Sequence, residues 1–431
     1  RRGKLMSEKT TGYYEAIKKR CAEKRKSEPE PKCVSGGGAL TPMAIASKPI
    51  LAENRQLGRN LTKTQVLSEA VRIWHRFSWA DVIRVAEALG GYEQLILGLE
   101  KNQRQGVVDA ANAFRKEFGL KSDDMHDMRI VSCAGTIGIG FENDAGIEHT
   151  EEREVGMKHW CPMVQGIRDM GYENSPLIKD FHLWCDLYDN FEIAATNTKM
   201  CYTHTHCLAR REDSYCRYCV DFRDRRPDEN YYQWLVRMRA EKRAEANEEA
   251  HGDVAALDRP GFAACNVLDN TWGKKPIEEV LELGVRIQRR IAVATVITGV
   301  ELLGWDKFID GMMDKEIPRM RELMRNFGQE WDITGTTAVE AAVLMSIGMQ
   351  GSGFDNHQFI RWNKKRAEGI GTSCPLVESA IESGLEGKLE NMCHWCSAWH
   401  EANAAAMNGD IKVTFTHCIG KGDKLCRWIV E

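Results

Sequence analysis

The chain has 431 residues, 43% hydrophobic and 28% charged, with 37 Gly and 11 Pro. That composition excludes collagen-like, low-complexity and largely disordered classes, and the length favours two domains. With 59 Lys and Arg against 63 Asp and Glu, a net charge of −4 supplies no general attraction to nucleic acid or to an anionic lipid surface.

Residues 1–62 are rich in Lys, Glu and Gly and include SEPEPK and SGGGAL, which predicts an extension that is mobile or draped on a neighbour. No apolar stretch follows the charges of RRGKLMSEKT, so no secretory signal and a cytoplasmic location are expected. Apolar residues at helical spacing follow in VLSEAVRIWHRF and WADVIRVAEALGGYEQLI. A further helical stretch runs up to a glycine cluster at Gly135, Gly138 and Gly140. A polar, strand-like hairpin is expected over 146–160, and Cys161-Pro162 then opens a helix, since Pro suits a first turn. A helix over 181–190 carries Cys185, and two strands, 198–208 and 215–222, close the unit. Residues 230–249 are strongly charged, without Gly or Pro, and read as a solvated connecting helix. The longest apolar run, 291–304, is broken by Glu301 and falls short of the roughly 20 residues of a membrane span. No membrane partner is expected.

The same order then recurs. Shifting the sequence by 213 residues sets Gly135, Gly138, Gly140, Phe141 and Asn143 on Gly348, Gly351, Gly353, Phe354 and Asn356, and Cys161-Pro162 on Cys374-Pro375. A shift of 211 sets Trp184-Cys185 on Trp395-Cys396 and Thr205-His206-Cys207 on Thr416-His417-Cys418. A nearly constant offset over this length predicts a tandem duplication. The expected organisation is an extension over 1–62, one repeat over 63–223, a charged helical linker over 224–274 and a second repeat over 275–431. Each repeat is expected to be α+β, with helices packed on one face of a small antiparallel sheet.

Fifteen cysteines without an export signal point to metal ligation or reactive thiols rather than a disulfide framework. His182, Cys185 and Asp189 stack on one helical face, as do Cys393, Cys396 and His400. Cys207 and Cys216, and Cys418 and Cys426, have spacings that a tight hairpin brings together. With Cys185 or Cys396 from the helix, three sulfurs per repeat converge on a candidate zinc site, one per repeat. The fourth ligand in the first repeat is His204, with His206 and Asp189 behind it. In the second, Phe415 stands at the His204 position, leaving His400, His417 or Cys393. Cys161 and Cys374, at helix N-termini where the macrodipole favours thiolate, suit a nucleophile or a further ligand. The glycine cluster reads G-x-x-G-x-G, which fits close helix packing better than a dinucleotide fingerprint.

Cys161-Pro162, Trp184-Cys185-Asp186 and Thr205-His206-Cys207-Leu208 leading into Cys216 resemble the L-2-amino-thiazoline-4-carboxylic acid hydrolase family. Cys374-Pro375, Cys393-His394-Trp395-Cys396 and Thr416-His417-Cys418 leading into Cys426 resemble it more closely still. That family is similar in turn to 4-vinyl-reductase-type small-ligand domains, where a structural zinc is held by a helix cysteine, an acidic residue and two strand cysteines. The resemblance implies that Cys185, His204, Cys207 and Cys216 hold a metal, with Cys396, Cys418 and Cys426 in the second repeat. It implies either hydrolysis of a small cyclic amidine or thiazoline substrate, or a non-catalytic small-molecule-binding module with structural zinc. In the hydrolase, the nucleophile would be a metal-bound water at an open coordination position or, where the site is closed, the thiolate of Cys161 or Cys374, and His206 or His417 would move the proton. Dimerising single-repeat relatives would make this chain a covalent pseudo-dimer. Whether the whole chain forms a homo-oligomer stays open.

Overall fold

A computed structural model describes residues 12–29, 63–138, 144–248, 275–330, 333, 336–351 and 357–431. Most of the 1–62 extension, Gly140 to Asn143 and Gly353 to Asn356 of the glycine clusters lie outside the described residues. The described elements form an α+β structure with two four-stranded antiparallel sheets. Two compact units divide them. One holds residues 75–298 with 382–384, and the other takes the described parts of 1–74, 299–381 and 385–431.

The first-sheet unit takes α2 (Lys63–Leu89) from His75 onward, followed by α3 (Glu93–Glu117) and α4 (Met125–Gly138). Trp79, Val82, Ile83 and Ala86 recur at helical spacing along α2 and are fully buried, each worth about 1.5–3 kcal/mol for the larger side chains. The helix ends where Gly90 takes φ +78°, letting the Gly91 N–H reach back to the Ala86 carbonyl at 2.9 Å. The expected hairpin is β1 (Asp144–His149) and β2 (Arg153–Lys158). Cys161 then caps α5 (Pro162–Asp169), its Sγ accepting the Val164 N–H at 3.4 Å. After α6 (His182–Ile193), strands β3 (Met200–His206) and β4 (Cys216–Phe222) complete a sheet ordered β1-β2-β4-β3. Its inner face meets the helices through Met125, Met128, Ile193, Met200, Tyr202, Tyr218 and Val220. Position 156 must be glycine, because the Tyr218 ring lies where a Cβ would stand.

Strand β3 is an edge, and α6 covers it with side chains. Asp186 Oδ1 accepts the His204 N–H at 2.8 Å. Asn190 accepts the Tyr202 N–H at 2.9 Å and donates to the Tyr202 carbonyl at 2.7 Å. These bonds replace a missing fifth strand. Replacing Asn190 with leucine leaves both Tyr202 groups unpaired, with an expected loss of about 2–4 kcal/mol in urea unfolding. A loss within experimental error would show that water satisfies this edge.

The connecting helix α7 (Tyr231–Glu248) differs from its expected solvated character. Tyr231, Trp234, Leu235 and Met238 form a buried i, i+3, i+4, i+7 stripe, and α7 packs on β3, α6 and α3. Its charges occupy the other face, which masks the stripe in composition.

Helix α8 (Ile277–Leu303) contributes its residues up to Thr298 to the first-sheet unit, where Gln288 contacts His75 at 3.2 Å. The second-sheet unit holds α9 (Trp305–Lys315), α10 (Ile317–Glu330), α11 (Ala338–Gly351), β5 (His357–Trp362), β6 (Ala367–Gly371), α12 (Pro375–Glu382, up to Ile381), α13 (Met392–Ala404), β7 (Val413–His417) and β8 (Cys426–Val430). Its sheet is ordered β5-β6-β8-β7 and irregular between Phe415 and His417, as the first is between His204 and His206. Gly369 lies under Trp428 as Gly156 lies under Tyr218. From the extension, α1 (Tyr13–Ser27) packs in this unit on β7, α9 and α13.

Candidate functional site

Four cysteines of the first-sheet unit, apart from Cys133, Cys201 and Cys219, come together from four elements. Cys161 caps α5, Cys185 sits one turn into α6, Cys207 follows β3, and Cys216 opens β4. All four are buried. The Cys161 and Cys207 thiols hydrogen-bond the Cys216 sulfur, and this holds Cys216 well below the ordinary thiol range. The Leu208 N–H also donates to Cys216 Sγ at 3.2 Å. Burial pushes the Cys161 thiol up, and its bond to Cys216 pushes it further. Cys185 stands within electrostatic range of Cys216 and is raised by burial. No disulfide forms among the described residues.

The second-sheet unit repeats this arrangement with one more thiol. Hydrogen bonding with Cys426 lowers Cys374, and hydrogen bonding with Cys393 and Cys426 lowers Cys418, while Cys393 and Cys426 are raised. Cys396, raised by burial, stands within range of Cys374 and Cys418. The Ile419 N–H donates to Cys426 Sγ at 3.4 Å. Soft sulfur donors supported by backbone N–H groups suit zinc in donor chemistry. Among the described residues, however, no group of three or more His, Cys, Asp or Glu side chains stands in the geometry that holds a metal ion.

The histidines have partners other than the sulfurs. His204 Nδ1 meets Asp186 Oδ1 at 2.7 Å; burial lowers its pKa, but the carboxylate outweighs burial and the net shift is upward. His206 Nδ1 meets Thr205 Oγ1 at 3.1 Å and its ring lies 5.0 Å from Tyr215. His417 Nδ1 makes the matching 3.1 Å contact with Thr416 Oγ1. His400 stacks on Phe415 at 5.4 Å, and burial holds its pKa down at about 3.

A cavity of ≈ 120 Å³ adjoins the first cluster, with Cys161, Cys185, Cys207 and Cys216 all in its lining. Phe114, Phe181, Trp184, Tyr188, Ile287 and Ile291 give it apolar walls from α3, α6, α8 and the turn before α6. Its polar groups are Gln103, Lys158, Asp189, Glu192, His204 and Arg290. Lys158 is buried and lies 5.3 Å above the Tyr218 ring. Arg290 donates to the Gly106 carbonyl at 2.9 Å, and burial lowers its pKa. Glu192 differs from both. Its carboxyl has no hydrogen-bond partner among the described residues, and burial, reinforced by the Asp189 charge, raises it well above the carboxylate range despite Lys158. Gly135 makes its room, since a Cβ there would strike the Glu192 carboxyl.

Glu192 lies one step beyond the polar residues that the helical spacing singles out. The polar stripe His182, Cys185, Asp189 continues on the same face of α6 to Glu192, in a helix otherwise nearly all buried. In the second unit the corresponding face carries Cys396, His400 and Asn403, so the paired carboxyls are absent from these positions.

Fold and site together define a class: α+β units with a thiol cluster where helix and strands meet and, in the first-sheet unit, a mostly apolar cavity beside it. No family model, curated protein or solved structure matches the chain. Among the described residues no helix is long and apolar enough to cross a membrane.

Proposed function

We propose that the chain is a hydrolase-like protein of two homologous halves whose first-sheet cavity takes a small cyclic amidine or thiazoline-type substrate. The observation that carries this reading is Glu192. A carboxyl disposed to keep its proton, beside the Asp189 carboxylate in a mostly apolar cavity, is the division of labour that acid–base hydrolysis needs. Water adds to the amidine carbon and the ring bond to its heteroatom breaks. Asp189 takes a proton from the water, and Glu192 gives one to the departing heteroatom. Lys158 and Arg290 suit an anionic substituent on the ring.

Each thiol cluster is proposed to hold one zinc ion, with Cys161, Cys185, Cys207 and Cys216 in one and Cys374, Cys396, Cys418 and Cys426 in the other. Binding would displace thiol protons and draw the sulfurs together. Four sulfurs make a closed structural site, so the ion braces the helix–strand junction. Cys161 is favoured over His204 as fourth ligand because its thiol already meets Cys216, whereas His204 Nδ1 is held by Asp186. The same contact argues against Cys161 as nucleophile, since its thiol is the one pushed up.

The test is incubation with 2-amino-thiazoline-4-carboxylate and mass spectrometry of the small molecules. A product heavier by one water supports hydrolysis. Calorimetric binding without that product favours the second reading, a small-molecule-binding module, for which the closed sulfur sites and apolar walls already speak. Neither binding nor product would remove this substrate class.

A further inference from the structure

Two helices, one in each unit, share a stretch of sequence. Tyr13-Tyr14 and Ala22-Glu23-Lys24-Arg25 of α1 fall on Tyr231-Tyr232 and Ala240-Glu241-Lys242-Arg243 of α7 at a single shift of 218 residues. They also occupy matching places. α7 packs on β3, α6 and α3 in its unit, and α1 packs on β7, α13 and α9 in the other.

Their charged ends make the same bonds. Arg243 forks onto Asp213, Nη2 to Oδ1 at 3.1 Å and Nη1 to Oδ2 at 3.2 Å. Asp213 Oδ2 in turn accepts the Cys207 N–H at 2.8 Å. Arg25 forks onto Asp423 at 2.7 and 2.9 Å, and Asp423 Oδ2 accepts the Cys418 N–H at 2.7 Å. One residue earlier, Lys242 pairs with Asp221 near the end of β4, and Lys24 with Glu431, just past β8, at 2.5 Å. A helix arginine, a loop carboxylate and a cysteine amide are thus linked in series in both units. The fork fixes the carboxylate, and the carboxylate fixes the backbone of the residue that carries the thiol.

We infer that α1 and α7 are equivalent fasteners of the two cysteine loops, and that Arg25 and Arg243 are positioning residues for Cys418 and Cys207. This rests on the reading of two homologous halves. It moves the start of each half from near residues 63 and 275 back to Tyr13 and Tyr231. It also makes the exchange reciprocal: the helix that opens the first half closes the cysteine loop of the second, and the helix that opens the second closes that of the first. The α1 part of the extension is a working part of the second thiol cluster.

The experiment is pulsed alkylation of the full chain with N-ethylmaleimide, kept metal-free by chelator, with peptide mapping of each cysteine. Arg25→Ala should raise the labelling rate of Cys418 and Cys426 on the order of tenfold and leave Cys207 and Cys216 unchanged. Arg243→Ala should do the reverse. Arg25→Lys, which keeps the charge but loses the fork, should fall between parent and alanine variant. Should an alanine variant fail to fold, the lysine variants and hydrogen exchange at the Cys418 and Cys207 amides decide in its place. Unchanged labelling, or equal rises in both clusters from either variant, overturns the inference. Because the readout is thiol reactivity without metal or substrate, its failure is separable from failure of the hydrolase reading.

Discussion

Glu192→Gln should abolish nearly all turnover of a cyclic amidine substrate while leaving its binding largely intact. The substitution keeps shape and hydrogen-bonding capacity but removes the transferable proton, and positioned acid catalysis typically contributes roughly 10²–10⁴-fold. Loss of binding in step with turnover would instead make Glu192 a ligand anchor. The same variant has a second signature, in stability. Burial keeps the carboxyl protonated in the folded chain at pH values where the unfolded chain, near the ordinary 4.5, has released its proton. The stability this group contributes is therefore complete below that value and is lost as pH rises through the higher folded value. Glutamine does not titrate, so the variant should match the parent in urea unfolding near pH 4. It should exceed the parent by about 1–2 kcal/mol near pH 8, the lower part of the scale for a polar group without a hydrogen bond, because Glu192 is only partly buried and Lys158 offsets some of its charge. A variant less stable than the parent at the higher pH would show that the ionised carboxylate has a partner in the folded chain.

The local signals in the sequence carried well into the fold. The polar, strand-like stretch over 146–160 marks the hairpin, Cys161-Pro162 marks the start of α5, and the spacing of Cys207 and Cys216 brackets a strand turn. Each depends on neighbouring residues alone. What stayed hidden depends on partners distant in sequence. Asp186 and Asn190 read as ordinary helix polar residues, yet they complete the edge of β3. Cys161 reads as a cap, which it is, but only the fold brings its thiol to Cys216. Glu192 is one polar residue among several until Gly135, on another helix, is seen to leave room for it. The charged surface of α7 conceals the stripe that docks it, and the matching stretch of α1 lies within an extension whose composition suggests little structure. Composition reports the solvent face of such helices more loudly than the buried one.

The sulfur clusters give the other large expected effect. Metal analysis of the parent should find two zinc ions per chain, and Cys216→Ser should reduce that to one. Cys216 is the common acceptor of Cys161 and Cys207, so its loss removes the centre of that cluster and leaves the second untouched. Cys161→Ser should do the same, and His204→Ala should retain both ions, because His204 is committed to Asp186. The reverse pattern, with the ion kept in Cys161→Ser and lost in His204→Ala, would restore His204 as fourth ligand and free Cys161 for chemistry. Cys201→Ala is the control for burial alone. That thiol is as buried as the others, but its sulfur meets Thr203 Oγ1 at 3.5 Å, and the variant should keep both ions. In stability the two cysteine types should also part. Losing a structural ion forfeits binding energy that is folding energy, on the order of 10 kcal/mol in small zinc domains and less where a packed core already supports the site. The Cys201 truncation costs only about 1 kcal/mol of packing. Urea unfolding with and without chelator separates them: chelator should bring the parent down toward Cys216→Ser and leave Cys216→Ser itself largely unmoved in the first-sheet unit. A parent whose unfolding ignores chelator, with no metal found, would leave the eight sulfurs as buried, hydrogen-bonded thiols and the case for chemistry resting on Glu192 alone.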